Sequence, residues 1–169
     1  MLEVGKAGSA GVGKGWIPVL RDGVPVATLR ASGWKEMATA VIGDRGWVYA
    51  KARRQLTARH ATDPEDTVRL RAWQTSFWSS AWAADLDGTA IEVQSISWWK
   101  TTHRYLSGGR QVAESGSTGS WSPRPTLTAD DSLPLEHQVF LLWLEIVVNR
   151  RHNAAIAGGT SAAVIGGTS

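Results

Sequence analysis

The chain has no cysteine. That excludes a disulfide framework and a thiolate metal site. It has no apolar run long enough to cross a membrane. The longest, residues 133–148 (LPLEHQVFLLWLEIVV), falls short of the roughly 20 residues a spanning helix needs, and Glu136, His137 and Glu145 sit inside it. The opening MLEVGKAGSAG lacks the apolar core of a signal peptide, so none is expected. An excess of one charge is also missing. Lysine and arginine total 18 against 15 acidic residues, and the signs are interspersed. This is not the concentrated basic stripe of a nucleic-acid binder, and no nucleic-acid partner is expected. Lysine is scarce beside arginine and alanine, a bias of GC-rich bacterial sources. The expected location is the cytoplasm, with peripheral membrane attachment as its variant.

What remains is ordinary in bulk and unusual in one respect. With 169 residues, 43% hydrophobic and 20% charged, the chain suits one globular domain with a sizeable core. Phenylalanine and tyrosine number two each, but tryptophan numbers ten. Most of these large rings are expected in the core, each with an N–H to satisfy.

Residues 133–148 organise the rest. Their second half is apolar on almost every side, the mark of a helix buried all round. Asp131 and Ser132 are suitable N-cap residues, Pro134 suits the first turn, and Arg150, Arg151 and His152 suit the C-terminal end of the dipole. A helix over 133–149 would be roughly 25 Å long, the height of a small barrel. Gln138, Glu145, Asn149 and His152 fall on one polar stripe of it. A buried Glu145 needs a partner. The expected solutions are an arginine, a tryptophan N–H or a water-filled seam in the barrel wall.

Before the helix the chain reads as ten to twelve short strands with turn signals every 8–12 residues, the spacing of a barrel or sandwich. Asp22-Gly23 and Asp87-Gly88 are tight-hairpin signals. Residues 47–53 alternate cleanly, with Trp47, Tyr49, Lys51 and Arg53 on one face. Residues 68–73 alternate again, with Arg69 and Arg71 opposite Val68, Leu70 and Ala72. The expected organisation is a flexible glycine-rich segment at 1–15, a barrel domain at 16–153 with its central helix at 133–152, and a low-complexity, poorly ordered tail at 154–169.

Motifs of catalysis are scarce. Gly8 to Lys14 fits the first seven positions of a phosphate-binding loop. Gly15 stands where a Ser or Thr hydroxyl is required, and Trp16-Ile17-Pro18 is a strand entry rather than a helix start. The four histidines, His60, His103, His137 and His152, show no metal-ligand spacing. No serine sits in a nucleophile elbow, and Asp85 and Asp87 read as turn residues. No catalytic residue, metal or cofactor is expected. Lys51, Arg53, Arg69 and Arg71 form a candidate anion patch if their strands are neighbours. The plainer reading is a solvated face with charges spaced for solubility.

Ser97-Trp98-Trp99, the hairpin from Tyr105 through Gly108-Gly109 to Val112, and the run from Leu133-Pro134-Leu135 through Phe140-Leu141-Leu142-Trp143-Leu144 to Arg150-Arg151 resemble actinobacterial members of the tubby C-terminal-like superfamily. That superfamily also holds the LURP-one-related and scramblase-like proteins. The resemblance spans roughly residues 16–153. It implies about twelve antiparallel strands around a C-terminal hydrophobic helix. Tubby domains bind phosphoinositides and scramblase relatives associate with membranes, so it also implies an anionic lipid or a phosphorylated ligand. No phosphoinositide-binding residue of the family matches a position here. The absence of cysteine and of an acidic DxDxDG run argues against palmitoylation and calcium binding. The expected function is a non-enzymatic binding or interaction module, with an anionic lipid or a protein as partner. The alternatives are a nucleotide-binding enzyme acting through 8–14 and a carbohydrate binder using Trp98 and Trp99.

Overall fold

The computed structural model describes residues 1–32, 36–76, 81–97, 101–119 and 122–160. Twelve strands run through them: β1 (Leu2–Val4), β2 (Ile17–Arg21), β3 (Val24–Ser32), β4 (Met37–Ile42), β5 (Arg45–Ala52), β6 (Gln55–His60), β7 (Leu70–Gln74), β8 (Trp82–Leu86), β9 (Thr89–Ser97), β10 (Thr102–Ser107), β11 (Arg110–Thr118) and β12 (Arg124–Ala129). One helix, α1 (Leu135–Thr160), follows. Each strand pairs antiparallel with its sequence neighbour, and β1 pairs with β12, so the sheet closes into a barrel.

Local chemistry dictates much of this meander. Asp22-Gly23, Asp87-Gly88 and Gly108-Gly109 each place both residues at positive φ, as the two-residue hairpin turn that matches strand twist requires. Along the strands one face alternates inward. In β4, Ala38, Ala40 and Ile42 are buried while Met37, Thr39 and Val41 face out.

The interior alternates large and small residues. Tyr49 lies in register between Ala38 and Ala58, Trp47 faces Ala40, and Ala72 lies between Leu56 and Ala84. The alanines leave a bore and the helix fills it. Val139, Phe140, Leu141, Leu142, Trp143 and Leu144 are consecutive, and none is more than 2% exposed. A helix packed on one side cannot bury six residues in a row; this one is enclosed. Tyr49 packs edge-on against Phe140 at 5.8 Å and tilted against Trp143 at 5.0 Å between ring centroids. The described tryptophans, Trp16, Trp47, Trp73, Trp82 and Trp143, are all buried or half-buried.

Three boundaries differ from expectation. Residues 1–15 are not merely a flexible lead-in. Leu2 and Val4 are buried, and β1 is the strand that closes the barrel. The helix starts at Leu135, after a turn in which the Asp130 carboxylate accepts from the Ser132 N–H and the Asp130 carbonyl from the Leu133 N–H. Asp130, rather than Asp131 or Ser132, therefore supplies the turn's carboxylate. The helix then runs past 152 to Thr160, because Ala154, Ala155, Ile156 and Ala157 continue it. At 26 residues it is roughly 39 Å long and outruns the barrel. It enters at the end of the β2–β3 turn, where Arg21 donates to Gln138 at 3.0 Å. It leaves at the end of the β5–β6 turn, with residues 153–158 exposed. No helix among the described residues is long and apolar enough to cross a membrane.

Candidate functional site: the cationic mouth where the helix leaves the barrel

Residue parity places the first cation. Tyr49 points into the barrel, so Lys51, two residues on, is the next inward position and reaches the rim. There Lys51 Nζ lies 3.1 Å from the Glu36 carboxylate. Arg151, on the emerging helix, grips the same carboxylate with two bonds of 2.5 and 2.7 Å. The Arg151 guanidinium also lies over the Trp82 ring, 5.1 Å from its centroid. This clamp fixes the helix exit against β4, β5 and β8.

The hydrogen bond from Arg151, helped by Lys51, holds the Glu36 carboxyl down from its usual 4.5 to about 2 against the opposing effect of burial. A depressed carboxyl stabilises the fold fully above its unfolded value, and that stability is lost as pH falls through the folded value. The clamp's contribution should therefore be complete above about pH 4.5 and fade towards pH 2. Glu36→Gln should remove this part of the acid-unfolding slope. Thermal melts of both proteins across that window test it; an unchanged slope would refute the clamp. Salt will weaken the effect, since Lys51 is half-exposed.

Two connected cavities flank the exit. The larger, about 450 Å³, is lined by Lys51, Arg53, Arg54, Gln74, Thr75 and Arg151. The other is a cleft of about 260 Å³ between the helix and the wall, where Gln74, Ser95, His103, Val148, Arg151 and His152 converge. Gln74 and Arg151 belong to both. Four of the six residues lining the larger cavity are cationic. Lys51 and Arg151 share Glu36, whereas Arg53 and Arg54 make no ion pair among the described residues. A broader groove of about 650 Å³ over β8 and β9 carries one charged residue, Glu92, and no such convergence.

Three of the six non-glycine residues at positive φ among the described residues lie at this end. Glu36, Arg53 and Thr101 hold φ of 47°, 57° and 45°. Thr101 is β-branched and pays most for such a conformation. Its hydroxyl donates to Asn149 of the helix. Strain of this kind persists where surrounding contacts enforce it, and it clusters at binding sites.

Beneath the cleft lies a buried polar set. Glu145 is 1% exposed. Its carboxylate accepts from the Tyr105 hydroxyl, and its two oxygens lie 2.9 and 3.1 Å from His103 Nδ1. His103 Nδ1 and the Tyr105 hydroxyl are thus both hydrogen-bonded to the one carboxyl group. The His103 backbone N–H donates to the Ser115 hydroxyl at 2.7 Å. Burial, then the Glu145 charge, pushes the Tyr105 phenol well above its ordinary range. Glu145 thus finds a histidine and a tyrosine from β10, not an arginine, an indole or a seam. Gln138 donates to the Leu133 carbonyl at 2.6 Å. The polar stripe Gln138, Glu145 and Asn149 is therefore bonded along its length.

The four residues of the sequence-derived anion patch do not meet. Lys51 and Arg53 are at the mouth. Arg69 is bound to Asp63 by bonds of 2.6 and 3.0 Å, and Arg71 to Asp85 at 3.0 Å while lying over Trp73. Register explains the separation. Lys51 pairs with Leu56, and Leu56 with Ala72, an inward row; Arg71 pairs with Thr57 and points outward. Arg54, Arg151, His103 and Tyr105 were not anticipated. The signal for the last two was available, since residues two apart on a strand share a face.

Residues 8–14 form turns between β1 and β2, and a strand follows rather than a helix, so the cradle a phosphate loop needs is not built there. Trp98 and Trp99 lie outside the described residues. No three His, Asp or Glu side chains among the described residues gather as metal ligands. Comparison with protein-family models, with curated proteins and with solved structures finds no match.

Proposed function

We propose that this protein is a non-enzymatic binding module that takes an anionic, phosphate-bearing group at the mouth, between Lys51, Arg53, Arg54 and Arg151. The observation that carries the reading is the pair Arg53 and Arg54. They border a cavity and have no carboxylate to neutralise them among the described residues. Unpaired guanidinium groups suit carboxylate and phosphate oxygens, and four converging cations favour the more highly charged phosphate. Lys51 and Arg151 are already oriented by Glu36, so little ordering is needed on binding. The resemblance to the tubby-like superfamily agrees with this reading. The group can belong to a free phosphorylated molecule or to a lipid headgroup, placing the protein in the cytoplasm or at a membrane surface facing it.

Flotation with vesicles of neutral lipid, and of neutral lipid mixed with phosphatidylserine, at two salt concentrations tests the lipid form. Inorganic phosphate titrated calorimetrically tests the free form. Each cation near an anionic surface contributes about 1 kcal/mol. Arg53→Ala with Arg54→Ala should therefore weaken binding by about tenfold or more. Binding of neither anionic vesicles nor phosphate at low salt would dispose of the proposal.

A further inference from the structure

The cleft beside the helix can say what is attached to that anionic group. We infer that it is a recognition subsite for a hydroxyl-rich ring, which makes the ligand a sugar phosphate. This rests on the anion-binding reading above.

Three observations carry it. The first concerns apolar surface. The indole of Trp82 is 4% exposed and lies beneath the Arg151 guanidinium. Val148 and Ala155 are the other apolar residues lining the cleft. Together they make one small apolar face, the extent of one side of a sugar ring and shorter than an acyl chain.

The second is unspent hydrogen bonding. Gln74 from β7, Ser95 from β9 and His152 from the helix converge on the cleft, and none of their side chains makes a hydrogen bond or ion pair among the described residues. An amide, a hydroxyl and an imidazole offer donors and acceptors together, as a set of hydroxyl groups demands. His103 adds a fixed member. Its Nδ1 is held by Glu145, so the ring cannot turn, and Nε2 on the opposite edge is what it can offer.

The third is size and continuity. At about 260 Å³ the cleft has room for roughly eight waters of about 30 Å³ each, enough for a six-carbon sugar. Because Gln74 and Arg151 line both cavities, a ring in the cleft and its phosphate in the cationic cavity are reached by one molecule.

The test is calorimetry on the full chain with four probes: inorganic phosphate, glucose, glucose 6-phosphate and octyl phosphate. Glucose 6-phosphate should bind at least tenfold more tightly than inorganic phosphate, and octyl phosphate should gain little over it. Ser95 lines the cleft and not the cationic cavity, so Ser95→Ala should shrink the sugar-phosphate preference by about two- to tenfold, the worth of one hydrogen bond, and leave inorganic phosphate unchanged. Arg53→Ala with Arg54→Ala should weaken both. Equal binding of phosphate and glucose 6-phosphate would overturn the cleft assignment and leave the anion site standing. Tighter binding of octyl phosphate than of glucose 6-phosphate would overturn it in favour of a lipid. If neither phosphate nor glucose 6-phosphate binds, the cleft assignment falls with the anion reading itself.

Discussion

Replacing Glu145 with alanine is expected to destabilise the protein by about 3–5 kcal/mol, from two buried polar groups left without a partner at about 1–3 kcal/mol each and from the void that opens. For a chain of this size that lowers the melting temperature by roughly 10 °C. The reason lies in what is left behind. His103 and Tyr105 are both buried, and each is hydrogen-bonded to Glu145. Without it, two polar groups lose their partner inside the barrel, and a void opens beside the helix. Glu145→Leu restores volume but not the bonds, so it should remain strongly destabilised. Combining it with His103→Leu and Tyr105→Phe removes every partner together and should recover most of the loss, since a matched polar set replaced by a matched apolar set can be nearly neutral. Chemical denaturation of the single, double and triple variants measures this. If the triple variant is no better than Glu145→Leu alone, the three groups are not a mutually satisfied set.

The second large effect is expected at Trp143. It is 2% exposed and stacks with Tyr49 and Phe140 near the centre of the bore. Trp143→Ala should cost about 3–5 kcal/mol, because a closed barrel around a helix has no free surface to collapse into the space. Val24→Ala serves as the control. Val24 is 63% exposed, and truncating it should stay within about 0.5 kcal/mol. Urea unfolding of the two proteins decides the matter. A loss at Trp143 no larger than at Val24 would mean that the helix is not the core of the fold.

The helix was legible because its signal is composition over a long window. Six consecutive apolar positions can be buried only if walls stand on every side. The hairpins were legible where Asp-Gly or Gly-Gly supplies two positive-φ positions. β1 was not, because three residues between a start and Gly5 give no periodicity, and only pairing with β2 and β12 makes them a strand. The extension to Thr160 was obscured by glycine pairs beyond a run of good helix formers.

The site was legible in half its members. Lys51 and Arg53 stand out as charges at the end of an apolar alternation. Whether Arg69 and Arg71 join them depends on register, and a shift of one residue carries a side chain from one face of a sheet to the other. Arg151 was visible as a helix-end charge. Its role at the mouth required knowing that β4, β5 and β8 meet the helix there. The spacing of His103 and Tyr105 puts both on one face of β10, but that this face meets Glu145 is a contact distant in sequence, which no local pattern encodes.

Closure of the barrel by β1 has a consequence for how the protein forms. Leu2 pairs opposite Leu127, and the helix that fills the interior follows every strand in the chain. Neither wall nor filling can cover its apolar surface alone. An unfilled shell exposes its alanines and leucines to water, and a free helix exposes Phe140, Leu142 and Trp143. The enclosure and its contents must therefore assemble together, late and cooperatively, through contacts between the most distant parts of the sequence. Slow folding with few stable partial structures is what such a topology favours. A chain cut before residue 135 should collapse without a single ordered state.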